Sequence, residues 1–178
     1  MAKPTSTIAK QPAYKWAAFS LFTAIAVILA ALGFEHIGGF EPCPLCLQQR
    51  YAYYVSIPLL FLSLTFLSAG VRQVAIALLF FCAMLFLANA GLAVYQVGGE
   101  WGYWPLTFGC TATSAPLSGG GVTLIEALKH AKVLDCGKPE LLILGLSLAG
   151  WNVIVCVILT IACLKAAFYT SDPALKRI

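Results

Sequence analysis

Residues 41–50 of the chain read Glu-Pro-Cys-Pro-Leu-Cys-Leu-Gln-Gln-Arg and stand directly before a long apolar run. That run predicts a membrane helix, so Cys43 and Cys46 are expected at its N-terminal end. Two cysteines three positions apart can close a small disulfide ring, and the backbone N–H groups of a helix N-terminus favour a thiolate. The stretch therefore favours thiol–disulfide exchange. A structural disulfide or a pair of inert thiols is the alternative.

The composition indicates an integral membrane protein. Hydrophobic residues make up 61% of the 178 residues, charged residues 10%, and the mean hydropathy is +0.89. Such a chain has too few polar residues to cover a soluble surface. With ~20 apolar residues per crossing, it has room for about four spans in a single domain.

The hydrophobic pattern predicts an all-α, integral membrane four-helix bundle formed by one domain, 1–178. The predicted spans are about 16–34, 47–67, 74–94 and 141–164. The first span exceeds the apolar core of a cleavable signal peptide, which is the alternative for that segment. The polar turn 68–73 is short, so the second and third spans are expected to form an antiparallel hairpin. A short polar tail, 165–178, follows the last span.

The distribution of Lys and Arg predicts the orientation. Seven of the eleven basic residues fall on the side that holds both termini and the 68–73 turn: Lys3, Lys10, Lys15, Arg72, Lys165, Lys176 and Arg177. The positive-inside rule makes that side cytoplasmic, so 35–46 and 95–140 are loops on the opposite side. The net charge of +4 thus reflects topology, and no basic patch in the sequence points to a nucleic-acid partner.

The seven cysteines divide into two groups. Four lie on the non-cytoplasmic side, where thiols can be oxidised: Cys43, Cys46, Cys110 and Cys136. Three lie within spans and are expected to be small buried hydrophobic residues with apolar neighbours: Cys82, Cys156 and Cys163. A zinc site is disfavoured because the second loop pair is 26 residues apart, which does not suit a closed site.

The long loop carries its own membrane anchors. Trp101, Tyr103 and Trp104 form a cluster suited to the membrane interface, where it would hold Cys110 near the bilayer surface. Residues 122–134 have apolar positions at helical spacing, which predicts a short amphipathic helix. That helix either lies in the interface or caps the protein on its soluble side.

Taken together, these features resemble the bacterial disulfide bond formation protein B (DsbB) family. The resemblance covers roughly 16–164 and rests on the four spans and on these residues: Pro42-Cys43-Pro44-Leu45-Cys46, Arg50, the Cys110 and Cys136 pair, and Trp151 in the last span. Some members carry a histidine shortly after the third span, beside the quinone. Residues 95–99 here are Tyr-Gln-Val-Gly-Gly, so no histidine role is carried over.

The resemblance implies a thiol:quinone oxidoreductase of the bacterial inner membrane. Such a protein reoxidises a periplasmic thioredoxin-fold dithiol oxidase (DsbA-like) and reduces a membrane quinone, ubiquinone or menaquinone. Cys110 and Cys136 would form the disulfide that the partner attacks, with Cys110 taking the mixed disulfide. Electrons would then reach the other pair through a Cys43–Cys136 link and leave Cys46 as a thiolate facing the quinone.

Arg50 is the candidate quinone-binding residue. If residues 46–50 are helical, it lies on the same face as Cys46, one turn further along. A cation there would favour the thiolate and stabilise negative charge on the reduced quinone. A snorkelling arginine at the end of a span is the alternative.

Two other classes of protein remain open at this stage. One is a non-enzymatic four-span scaffold whose outer loops are held by structural disulfides, which would resist a thiol buffer that catalytic disulfides do not. The other is an oxidoreductase of the vitamin K epoxide reductase type, against which the order of the spans argues.

Overall fold

The computed structural model describes residues 12–39, 43–106 and 142–171. Within these ranges, four helices are long and apolar enough to cross a membrane. They are α1 (Pro12–His36), α2 (Pro44–Ala69), α3 (Arg72–Glu100) and α4 (Leu148–Ser171), and a two-stranded hairpin, β1 (Leu142–Ile143) and β2 (Leu146–Ser147), precedes α4. The prediction of an all-α four-helix membrane bundle is confirmed, with this small hairpin as an addition.

The observed helices differ from the predicted spans mainly at their ends. Helix α3 continues to Glu100, so 95–99, which were expected in the long loop, belong to its last turns. Helix α4 begins at Leu148 instead of 141 and runs to Ser171, so part of the expected polar tail is helical. Hydropathy locates the apolar run but does not distinguish an apolar hairpin from the first turns of a helix.

A tight turn explains why α4 starts late. Leu144 and Gly145 both have positive φ, 55° and 82°, which is the backbone of a two-residue hairpin turn. The turn pairs Leu142 with Ser147. The Oγ atom of Ser147 then accepts a hydrogen bond from the N–H of Gly150 at 3.1 Å, which caps the new helix.

The connection between α2 and α3 is equally short. Gly70 ends α2 in the left-handed conformation, with φ of 81°, and Val71 N–H donates to the carbonyl of Phe66 at 3.0 Å. This arrangement satisfies carbonyls that the helix end leaves open. Two residues between long helices make them antiparallel neighbours, as the sequence predicted.

The four helices close into a ring in which each packs against two neighbours. The order is α1, α2, α3, α4 and back to α1, with the largest contact between α3 and α4. Many of the wholly buried residues are small, which lets helix backbones approach closely; they include Ala17, Ala24, Ala75, Ala93, Ala162 and Ala166. Large apolar side chains such as Phe22 and Phe61 point outward, as a lipid-facing surface requires.

The three cysteines inside the helices are fully buried. The expectation of apolar neighbours is wrong for Cys156, whose sulfur lies 3.2 Å from the Tyr53 hydroxyl and 3.3 Å from Asn89 Nδ2. Polar residues on α2 and α3 reach this thiol through the bundle interior, and hydropathy alone does not reveal such pairings.

Aromatic residues gather at the end of α3. Trp101 and Tyr103 are 71% and 72% exposed, while the Trp104 ring folds back and stacks on Tyr95 with centroids 6.1 Å apart. Trp104 Nε1 donates to the Tyr95 carbonyl at 2.9 Å. The ring lies so close to Gly98 that a β-carbon there would come within 2.1 Å of it. The residue at position 98 must therefore lack a side chain.

Candidate functional site

The site is built at the N-terminus of α2. Cys43 is the N-cap residue, with extended backbone angles, and Pro44 occupies the first helical position. The Cys46 N–H donates to Cys43 Sγ at 3.3 Å, so the sulfur itself caps the helix. Both cysteines are free and half-buried. The Pro-Cys-Pro-Leu-Cys sequence therefore forms the first turn of a helix and places both thiols on it.

The two thiols are in direct contact. Cys43 Sγ donates to Cys46 Sγ across 2.8 Å. The two sulfurs need to move only slightly closer to reach the ~2.05 Å of a disulfide bond. That hydrogen bond raises the pKa of the Cys43 thiol, and burial raises it further. Cys43 is therefore the sulfur that keeps its proton, and Cys46 is the sulfur that receives the hydrogen bond.

Gln96 of α3 faces the same pair of sulfurs. Its Nε2 atom lies 3.4 Å from Cys46 Sγ and 3.6 Å from Cys43 Sγ, and its Oε1 atom lies 3.8 Å from Cys46 Sγ. Only 4% of this residue is exposed. Because α3 extends beyond its predicted end, Gln96 sits on a helix and points into the bundle.

Further polar side chains connect the dithiol to the bundle interior. Gln49 Nε2 donates to Gln96 Oε1 at 2.8 Å, and Gln49 Oε1 accepts from Asn152 Nδ2 at 2.6 Å. The Tyr53 hydroxyl donates to Asn152 Oδ1 at 2.5 Å. These contacts cross the bundle from α2 to α4, two helices that face each other diagonally.

The sequence analysis did not identify these four residues as part of the site. A signal was nevertheless present: Gln49 and Tyr53 follow Cys46 at spacings of three and seven, which puts all three on one helix face. Polar residues on the inner face of a membrane helix are functional candidates by default. Their partners on α3 and α4 could not be read from the sequence.

Arg50 forms an ion pair with Glu35 in the last turn of α1. The Arg50 side chain is 13% exposed and that of Glu35 is 28% exposed. Arg50 does lie one helical turn beyond Cys46, as predicted, and the pairing with Glu35 was not anticipated. The ion pair joins the last turn of α1 to the second turn of α2, the helix that carries the dithiol.

The remaining predicted site residues, Cys110 and Cys136, lie outside the described residues. So do the predicted amphipathic helix at 122–134 and the end of the polar tail. The structure therefore describes the part of the site around Cys43 and Cys46, including Gln96 and Arg50.

A bundle of membrane-length helices with a close dithiol at one end defines a class of protein, the multi-pass membrane thiol oxidoreductases. The profile of the family described as "Disulfide bond formation protein DsbB" matches residues 14–166 of this chain. The chain belongs to that family, as its sequence resemblance indicated. Its general function is disulfide bond formation.

Named relatives agree with the family assignment. The chain is 33% identical over 144 residues to "Disulfide bond formation protein B" of Aromatoleum aromaticum, covering 75% of this chain and 81% of that protein. It is 33% identical over 145 residues to the protein of the same name from Methylococcus capsulatus, covering 76% and 81%. The protein of that name from Marinobacter nauticus is 31% identical over 150 residues, covering 79% and 83%. No solved structure matches the chain.

Proposed function

We propose that this protein is a membrane thiol:quinone oxidoreductase that reoxidises a periplasmic, thioredoxin-fold dithiol oxidase of the DsbA type. The observation that carries the proposal is a pair of free thiols, with sulfurs 2.8 Å apart, at the end of a membrane-length helix. Thiols in that position can exchange with a soluble protein on one side and reach a lipid-soluble oxidant on the other. A scaffold with purely structural disulfides is not favoured, because the family is one of disulfide formation.

The surroundings of Cys46 fit a quinone. On α2, Leu47 is 43% exposed and Tyr51 is 66% exposed, so apolar surface beside the thiol is open to lipid. Arg50 engages Glu35 through one nitrogen, and its guanidinium has further N–H donors for a carbonyl oxygen. We propose that Arg50 holds the quinone. When bound, ubiquinone or menaquinone supplies a two-electron, two-proton acceptor that leaves as the quinol.

We assign the exchange with the soluble partner to Cys110 and Cys136. A partner thiolate attacks Cys110 Sγ, the Cys110–Cys136 bond breaks, and Cys136 leaves as a thiolate. That thiolate attacks Cys43 Sγ in the Cys43–Cys46 disulfide, which breaks and releases Cys46 as the new thiolate. The second partner thiol then closes the partner's disulfide and frees Cys110, which in turn closes on Cys136 and returns Cys43 as a thiol. Two electrons have then moved from the partner to the Cys43 and Cys46 pair.

The contacts within the first pair support this division of roles. Cys46 Sγ accepts hydrogen bonds from the Cys43 thiol and from Gln96 Nε2, and such bonds favour the charged form of the acceptor. A sulfur whose thiolate is stabilised leaves more readily in exchange. Cys43, which keeps its proton in the reduced pair, is the sulfur assigned to the interloop link.

We further propose that both termini face the cytoplasm of a bacterial cell and that the dithiol end faces the periplasm. Lys15 at the start of α1, Arg72 at the start of α3 and Lys165 near the end of α4 lie at the end of the bundle opposite the dithiol. Lys165 Nζ lies 4.8 Å from the centre of the Trp16 ring, so the start of α1 and this part of α4 lie side by side at one end of the bundle. Basic residues concentrate on the cytoplasmic side of inner-membrane proteins.

Quinone reduction by the purified protein tests the function. The protein is reconstituted in lipid nanodiscs with a reduced thioredoxin-fold dithiol protein and a ubiquinone analogue, and the quinone absorbance is followed. We expect Cys46→Ala to stop quinone reduction and Cys163→Ala, a buried cysteine remote from the dithiol, to retain it. Quinone reduction at the parent rate in Cys46→Ala would refute the function.

A further inference from the structure

Four polar side chains form a continuous chain of hydrogen bonds that ends at Cys46. The Tyr53 O–H donates to Asn152 Oδ1 at 2.5 Å, and Asn152 Nδ2 donates to Gln49 Oε1 at 2.6 Å. Gln49 Nε2 donates to Gln96 Oε1 at 2.8 Å, and Gln96 Nε2 donates to Cys46 Sγ at 3.4 Å. Each carboxamide accepts through its oxygen and donates through its nitrogen, so all the bonds run in one direction.

A carboxylate fixes the direction of this chain. Glu100 Oε1 lies 3.3 Å from Gln96 Nε2, and a carboxylate oxygen can only accept a hydrogen bond. The Gln96 atom facing Glu100 and the sulfurs must therefore be the NH₂ group. Its oxygen then faces Gln49, which must present its own NH₂, and the same reasoning sets Asn152.

Burial makes this direction costly to reverse. Gln49, Tyr53 and Gln96 are 5%, 2% and 4% exposed, so water does not readily replace their partners. Leaving a buried polar group without its hydrogen bond is more unfavourable than the bond is favourable. Hydrogen bonds in series also polarise one another in a medium of low dielectric constant.

We propose that the chain from Tyr53 through Asn152 and Gln49 holds the Gln96 N–H group against Cys46 Sγ and so stabilises the Cys46 thiolate with neutral donors. This inference rests on the proposed role of Cys46 as the thiolate of the redox pair. Gln49, Asn152 and Tyr53 are positioning residues, since they act on the thiol through Gln96.

The charged groups near the dithiol make neutral donors important. Arg50 forms an ion pair with Glu35. The Gln96 NH₂ group, which faces the two sulfurs, also donates to the carboxylate of Glu100. The negative charge of Glu100 opposes a thiolate at Cys46. Among the described residues, the hydrogen bonds donated to Cys46 Sγ come from Gln96 and from the Cys43 thiol. Aligned amide dipoles can thus stabilise the anion where a carboxylate works against it.

Alkylation of Cys46 as a function of pH tests this proposal without quinone or partner. The full-length protein carries Cys43→Ser, which leaves Cys46 without its neighbouring thiol, and iodoacetamide labelling is quantified by mass spectrometry of the peptide containing Cys46. We expect Gln96→Leu to lower the alkylation rate at neutral pH about tenfold, the scale of a hydrogen bond to a charged group. The pH midpoint should rise by about one unit.

Remote variants distinguish a directional chain from a single contact. Asn152→Leu and the nearly isosteric Tyr53→Phe should move the midpoint in the same direction by a smaller amount, about threefold in rate. Within the described residues, neither side chain forms a hydrogen bond with Cys46. Gln48→Leu and Tyr54→Phe are the matched controls. Gln48 is an exposed carboxamide of α2, and Tyr54 is 44% exposed on the position next to Tyr53. Asn89→Leu is unsuitable as a control, because Asn89 donates to Cys156, whose sulfur contacts Tyr53 and Asn152.

The outcomes separate this inference from the proposed function. If both remote variants keep the parent's midpoint, or shift it no more than their controls do, the chain does not act on Cys46 and the inference fails. Quinone reduction by the unmodified protein answers the other question independently. If the protein reduces quinone but its remote variants keep the parent's midpoint, the proposed function stands and the inference about the hydrogen-bond chain fails.

Discussion

Arg50→Met removes a guanidinium charge one helical turn beyond Cys46 while keeping much of the apolar stem. We expect this variant to reduce quinone more slowly and to exchange disulfides with the soluble partner at the parent rate. Arg50 is only 13% exposed, so bulk water screens its charge weakly. Exchange through Cys110 and Cys136 needs no quinone, which is why the two activities should separate.

The expected magnitude follows from the position of the charge. Glu35 engages one guanidinium nitrogen, which fixes the Arg50 side chain and leaves other N–H donors for a developing negative charge. Losing a preorganised donor of this kind typically costs on the order of 3 kcal/mol, or roughly a hundredfold in rate. Glu35→Gln keeps a hydrogen-bond acceptor and the Arg50 charge, so its effect should stay below about tenfold.

The assay follows quinone reduction and partner oxidation separately, in single turnover, for each variant. Arg72→Met is the matched control, because it removes the same group from the opposite end of the bundle. If Arg50→Met reduces quinone at the parent rate, Arg50 is only a snorkelling anchor and the charge-stabilisation reasoning is wrong. If Glu35→Gln also lowers the rate of quinone reduction a hundredfold, the effect comes from losing the ion pair that joins α1 to α2, and the Arg50 charge alone does not explain it.

Three further predictions test other parts of the molecule. Reporter fusions at Ser68 and Ser118 should show cytoplasmic and periplasmic activity respectively, and equal periplasmic activity at both sites would contradict the orientation. Cys136→Ala should accumulate a mixed disulfide with the soluble dithiol protein through Cys110, detected on non-reducing gels; trapping by Cys110→Ala instead would reverse the two roles. Gly98→Ala should lower the free energy of unfolding by about 1–3 kcal/mol, because the new β-carbon overlaps the aromatic ring packed on this glycine. An unchanged melting temperature would refute that packing.

The bundle could be predicted from the sequence because a membrane imposes a simple rule. Every span must be an apolar helix of about 20 residues, and both hydropathy and charge distribution report it directly. The helix ends were less predictable. The apolar pair Leu142 and Ile143 reads as a helix in any hydropathy window, and only the positive φ angles of Leu144 and Gly145 reveal the hairpin.

The site was only partly predictable for a related reason. Cys43, Cys46 and Arg50 are neighbours in sequence, so a helix-start motif and a four-residue spacing identify them. Gln96 and Asn152 reach the same site from α3 and α4. Their contribution depends on how the helices are rotated in the bundle, and a single sequence with weak amphipathicity does not specify that rotation.

A carboxamide suits a sulfur such as Cys46, which must alternate between the disulfide, the thiolate and the neutral thiol. Gln96 presents both a donor at 3.4 Å and an acceptor at 3.8 Å to Cys46 Sγ, so it can bind the thiolate through N–H and the neutral thiol through oxygen. A permanent cation in direct contact would favour the thiolate in every step and slow its return to the disulfide, since nucleophilicity falls as a thiolate is stabilised. In this protein the nearby cation is instead paired with Glu35, one turn away. Neutral donors at the sulfur and a cation at the proposed quinone position therefore allow Cys46 to leave as a thiolate and still react again.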